Sequence, residues 1–149
     1  MSATDAAPPS GCCFGFDFGL RRIGVAVGQT LTASARPLAT VSHGDAPDWE
    51  RIDALLREWR PQALVVGLPL GLDDGEQPIT RRARAFGAAL ATRSGLPVHY
   101  QDERYTSREA DARFVAQRQA GTKRRRHAAD LDAVAAAIIL ESWFASHHA

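Results

Sequence analysis

Cysteine is nearly absent from this chain of 149 residues, and the two it has, Cys12 and Cys13, are neighbours. Adjacent cysteines cannot staple distant segments, which excludes a disulfide framework, and no further ligands accompany them at metal-binding spacing. Long apolar runs are also missing. No stretch is long enough to span a bilayer, and residues 1–11 are small, polar and proline-containing, unlike the apolar core of a signal peptide. The expectation is a protein of the reducing cytoplasm. An excess of one charge is lacking too. The net charge of +1 gives no global argument for a polyanionic partner. The basic residues are nearly all arginine. Arginine suits bidentate phosphate contacts, but a GC-rich genome produces the same bias, so only local clusters carry weight. Internal repeats are absent.

What is present is a chain that is 45% hydrophobic, enough for one core. Residues 1–13 read as a flexible lead-in and 14–146 as a single domain. Residues 14–19 alternate aromatic and small side chains, placing Phe14, Phe16 and Phe18 on one face of a strand and Gly15, Asp17 and Gly19 on the other. A turn at Arg21-Arg22 leads into a second strand over 23–27, a hairpin, and 37–41 forms a weaker third strand with its proline at an edge. Helical spacing over 48–59 ends before Pro61. The continuous apolar run 63–68 reads as a buried parallel strand. A Gly/Asp-rich loop follows over 69–77, then a helix over 78–93 stopped near Gly95, and a strand over 98–101. Thr106 and Glu109 fit a capping box for a helix to about residue 117. A basic loop over 118–127 precedes a last helix over 128–145, with Leu131, Val134, Ala135, Ile138 and Trp143 on its buried side. The order β-β-β-α-β-α-β-α-α predicts an α/β fold: a five-stranded mixed sheet, antiparallel at its start and parallel afterwards, flanked by helices.

Three acids stand out on this frame. Asp17 lies near the end of the first strand, flanked by glycines on its own face. Glu103 ends the strand run that begins at Val98. Asp132 lies on the apolar last helix, level with Ala136 and Ile139. Ligands gather at the carboxyl ends of parallel strands, and a central first strand would let the three converge. Three hard oxygen donors suit Mg²⁺ or Mn²⁺, and two such ions can clamp a phosphodiester. Each acid also has an ordinary role: a turn residue for Asp17, a surface partner of Arg104 or Arg108 for Glu103, a first-turn acid for Asp132 or for Asp130. Alternation puts Asp102 on the opposite face from Glu103 without choosing between them. The run Lys123, Arg124, Arg125 and Arg126 has the ordinary reading of a solvated face. Beside the acids it would grip phosphates, as would Arg21, Arg22 and Arg104. No histidine or cysteine arrangement supports zinc or nucleophilic catalysis.

The assembled motifs resemble the YqgF/RuvX family, Holliday-junction resolvases of RNase H-like fold whose bacterial members are associated with processing of the 16S ribosomal RNA precursor. The resemblance rests on Phe16-Asp17-Phe18-Gly19, Arg22-Ile23-Gly24-Val25-Ala26-Val27-Gly28, Ala35-Arg36-Pro37-Leu38, Val65-Val66-Gly67-Leu68-Pro69-Leu70 with Glu76-Gln77-Pro78, Asp102-Glu103-Arg104, and Asp132 followed by Ile138-Ile139-Leu140-Glu141-Ser142. It covers nearly all of 14–144. It implies an RNase H-like fold and a divalent-metal-dependent nuclease acting on pre-rRNA or branched DNA. It also implies Asp17, Glu103 and Asp132 as catalytic, metal-binding acids, in preference to Asp102 and Asp130. Two departures are visible: Gly71 stands where the family's middle loop commonly has asparagine, and the loop before Asp132 is long and arginine-rich. Two competitors stand beside the nuclease. One is a non-catalytic nucleic-acid-binding module of the same fold. The other is a sugar-kinase-like phosphotransferase suggested by Asp17-Phe18-Gly19, for which the chain has one domain where two are needed. No membrane partner is expected, a ribosome-assembly context follows from the resemblance, and monomer and homodimer both stay open.

Overall fold

The computed structural model describes residues 11–69, 77–102 and 127–147. Its strands are β1 (Cys12–Phe18), β2 (Arg22–Gln29), β3 (Ser34–Ser42), β4 (Ala63–Leu68) and β5 (Val98–Asp102). Its helices, among the described residues, are α1 (Trp49–Trp59), α2 (Pro78–Ser94) and α3 (His127–His147). One sheet takes all five strands in the order β3-β2-β1-β4-β5, which makes β1 central. The pairs β1–β2 and β2–β3 are antiparallel, whereas β1–β4 and β4–β5 are parallel. This is the mixed sheet anticipated from the hairpin start and the later crossovers. The expected helix over 106–117 and the basic loop lie outside the described residues.

The alternation read in β1 sorts the core into two layers. Phe14, Phe16 and Phe18 join Ile23, Val25, Leu64, Val66, Ile52, Phe86 and Leu90 under α1 and α2. Cys13 and Val65, one residue out of phase, join Ile139, Leu140 and Phe144 under α3. The aromatic layer is continuous: Phe16 meets Phe86 edge-on at 5.6 Å between ring centroids, and Trp49 stacks on Phe86 at 5.5 Å. Helix starts follow local chemistry. The Asp48 carboxylate accepts the Arg51 N–H at 3.2 Å. Pro78 opens α2, and the Thr80 hydroxyl oxygen accepts the Gln77 N–H at 3.0 Å. Arg93 on α2 ties to Asp53 on α1 at 2.8 Å.

Three boundaries differ from the sequence-based expectation. β1 begins at Cys12, inside the stretch read as a lead-in, because both cysteines are buried in the sheet. Arg22 is the first residue of β2 and not part of the turn. β3 runs from Ser34, with an irregular register: Val25 pairs with Ala39 and Ala26 with Pro37. Leu38 is the extra residue, so Pro37 sits beside a bulge on an edge strand, where its missing N–H costs least. The inward face of α3 also needs correction. Its sheet-facing stripe runs through Asp132, Ala136, Leu140 and Phe144, while Val134 and Ile138 form a separate cluster with Ala135. Every residue from Ala133 to Leu140 is apolar, so periodicity has no polar face to contrast with.

Candidate active site

Asp17 is the penultimate residue of β1 and is half-buried. It shares a face with Gly15 and pairs across the ladder with Gly24 of β2. That face is the one α3 covers. A Cβ on Gly24 would come within 1.9 Å of the Asp132 carbonyl oxygen, and one on Gly15 within 2.8 Å of the Ala136 carbonyl. Only glycine permits such contact, so helix main chain lies directly on strand main chain. Asp132 therefore rests on the residue paired with Asp17, and paired Cα atoms are about 5 Å apart. Two of the three acids singled out from sequence, 115 positions apart in the chain, thus lie over one face of the sheet near the carboxyl end of the central strand.

The third, Glu103, lies outside the described residues, as do Arg104, Lys123, Arg124, Arg125 and Arg126. Among the described residues no three metal-donor side chains gather. Register does speak to Asp102. It pairs with Leu68, whose side chain belongs to the layer under α1 and α2, so Asp102 faces away from Asp17. Asp17 and Asp132 fit a divalent cation: both are hard oxygen donors and neither is fully buried.

Two features of this region were not visible in the sequence. Arg22 Nε donates to Asp132 Oδ2 at 2.6 Å, with the arginine side chain 44% and the aspartate 24% exposed. The pair links residues 110 positions apart, and no local spacing announces it. His43, buried to 7% exposure, clamps the turn after Asp17. Its Nδ1 donates to the Gly19 carbonyl at 2.7 Å, its backbone N–H donates to the Arg21 carbonyl at 3.0 Å, and its ring lies 5.1 Å from that of Phe18. A lone histidine in a loop gave no signal of this. Arg21 itself is exposed in that turn, beside Leu20.

A cavity of about 690 Å³ lined by Asp53, Arg57, Arg60 and Arg93 lies at the carboxyl ends of α1 and α2. It borders the starts of β4 and β5, the end of the sheet away from Asp17, and its arginines act as counter-charges to helix carboxyl termini.

Comparison with known proteins gives a family and a fold. A family model described as RuvX, Holliday junction resolvase, matches residues 11–146. Two curated relatives, from Xanthomonas euvesicatoria pv. vesicatoria and Xanthomonas oryzae pv. oryzae, carry the name "Putative pre-16S rRNA nuclease". Each is 51% identical over 147 residues, 98% of this chain and 95% of theirs. Among solved structures, RuvC of Thermus thermophilus in complex with a Holliday junction substrate is 25% identical with a TM-score of 0.51, over 91% of this chain and 94% of that one. A second T. thermophilus RuvC structure is 22% identical with a TM-score of 0.52, over 91% and 95%, a likeness of fold.

Proposed function

The chain belongs to the RuvX family, and from that premise we propose that it is a nuclease hydrolysing phosphodiester bonds in structured nucleic acid, with the precursor of 16S ribosomal RNA as its substrate. The observation that supports the reading is the placement of Asp17 and Asp132 over one face of an RNase H-like sheet, at the end where such sheets bind ligands. The rRNA precursor as substrate is supported by the names of relatives that share half of its residues along nearly their whole length. Four-way DNA is the competing substrate, suggested by the junction bound to the RuvC neighbour.

Asp17, Asp132 and Glu103 would hold Mg²⁺ or Mn²⁺. When bound, such an ion activates water and offsets charge on the leaving oxygen. The chain's own contribution is placement. The β-ladder fixes Asp17, the glycine seat fixes Asp132, and the His43 clamp steadies the turn between Asp17 and Arg22. Arg21, Arg22, Arg104 and the run Lys123 to Arg126 would track the phosphate backbone, which positions a strand without reading its sequence.

The test is cleavage of a structured rRNA-precursor fragment and of a four-way DNA junction with Mg²⁺, with Mn²⁺ and with chelator. Cleavage is expected only with metal and preferentially of the RNA. Asp17→Asn is expected to lower the rate by at least about a hundredfold with an unchanged melting curve. A variant as fast as the parent would overturn the mechanism, and preferential cutting of the junction would overturn the substrate.

A further inference from the structure

Arg22 is held at both ends of a contradiction. Its Cα is fixed at the start of β2 by pairing with Ser42, next to the turn that His43 clamps. Its side chain is long, 44% exposed, and spends one of its five N–H donors on Asp132 Oδ2. Asp132 in turn cannot follow the arginine far, because its main chain is seated on Gly24. A carboxylate that is to hold a divalent cation is thus engaged by a cation belonging to the protein.

Two consequences follow from charge alone. A guanidinium on Asp132 occupies one oxygen and repels an arriving divalent ion, so it lowers the site's affinity for metal. A phosphate offers guanidinium a second, bidentate partner. A partly exposed ion pair is weak, so the exchange costs little. We propose that Arg22 is a positioning residue that exchanges between Asp132 and a backbone phosphate, so that metal and nucleic acid each favour binding of the other. Metal on Asp132 releases the arginine for phosphate, phosphate draws the arginine away from Asp132, and the coupling is reciprocal. Without nucleic acid, Arg22 keeps Asp132 oriented and the two acids partly neutralised, which lowers the cost of packing two carboxylates on one face.

This rests on the reading of Asp17 and Asp132 as cation ligands, and the experiment separates the two. Mn²⁺ is titrated calorimetrically into the intact protein and into Arg22→Gln, Arg22→Lys and Asp17→Asn, without nucleic acid. Arg22→Gln is expected to bind Mn²⁺ about tenfold more tightly than the parent, and Arg22→Lys, which keeps the charge, to stay near it. Binding of an RNA hairpin in chelator is then followed against salt. Arg22→Gln is expected to lower the slope of log affinity against log salt by about one. Should Arg22→Gln fail to fold, Arg22→Met keeps the apolar stem and reports the same two quantities. If Asp17→Asn loses Mn²⁺ binding while the neutral variant binds it no better than the parent, the exchange is overturned and the metal site stands. An unchanged salt slope removes the phosphate partner. If Asp17→Asn binds Mn²⁺ as the parent does, the site reading falls and the exchange falls with it.

Discussion

Cys12 and Cys13 are consecutive on the central strand and so enter different layers of the core. Cys12 packs with Phe14 and Ile52, with its thiol directed to the Trp59 carbonyl at 3.4 Å, and Cys13 packs with Ile139 and Leu140. Burial pushes both thiols up from their ordinary value of 9.0, and burial together with the neighbouring Cys12 thiol pushes Cys13 to about 11. Both cysteines are expected to resist alkylation by iodoacetamide at pH 8 in the native protein and to react fully in denaturant; rapid native labelling would contradict this burial. The sign of the pH effect follows. A thiol whose folded pKa lies above its unfolded one stabilises the fold below the unfolded value and loses that contribution as pH rises. Stability should therefore decline from about pH 9 upward, measured as a falling urea midpoint. Replacing both cysteines by alanine should flatten that decline. Sequence showed that these residues staple nothing. It did not show that they are core, because two small residues before an aromatic strand resemble a lead-in as much as its first turn of the ladder.

At the level of elements, the seat of α3 on β1 and β2 is the contact that assembles the site. Gly24→Ala inserts a Cβ 1.9 Å from the Asp132 carbonyl oxygen, a backbone atom that cannot rotate away. The expected cost is about 3 kcal/mol, read from urea unfolding, with a larger fractional loss of cleavage than of stability because the displaced turn carries Asp132. Gly44→Ala, with nothing within 4 Å of the added carbon, is the control and should be near neutral. Much at this level was legible. The phase of β1 put the phenylalanines on one face and Asp17 on the other, and the structure has both as read. The strand over 63–68 and the helices ended by Pro61 and Gly95 matched because their stop signals are local. The inward stripe of α3 was not legible: a helix apolar on nearly every side gives no contrast, and what chooses its sheet-facing stripe is the pattern of glycines on β1 and β2, a tertiary fact. The length of β3 escaped for a similar reason, since pairing with β2 overrides the poor strand propensity of Ser34-Ala35-Arg36.

For the molecule as a whole, the order β3-β2-β1-β4-β5 gives the two sheet faces different tasks. The face under α1 and α2 holds the larger apolar cluster. The face under α3 holds less apolar bulk and the two acids. A nuclease built this way must draw a polyanion toward carboxylates with a net charge of only +1, so local arginines have to supply the attraction. Replacing Lys123, Arg124, Arg125 and Arg126 together by alanine is expected to reduce the salt slope of RNA binding by about three while leaving the melting temperature within a degree or two. A slope unchanged from the parent's would return that run to the role of a solvated face. No described helix is long and apolar enough to cross a membrane. The placement of Asp17 and Asp132 over the same sheet face was inferable once β1 was taken as central. The ion pair between Arg22 and Asp132 was not, because it depends on where a helix lands and not on any repeat in the chain.

At Gly24 the main chain of Asp132 meets the sheet with no side chain between them. Where two elements meet through interlocking side chains, small rotamer adjustments absorb a shift, and what each element carries drifts by a fraction of it. At Gly24 peptide rests on peptide, so a sideways slip of α3 there passes directly to Asp132. The same hard stop that keeps the two acids in register leaves this enzyme little slack to retune their separation, short of moving an entire helix.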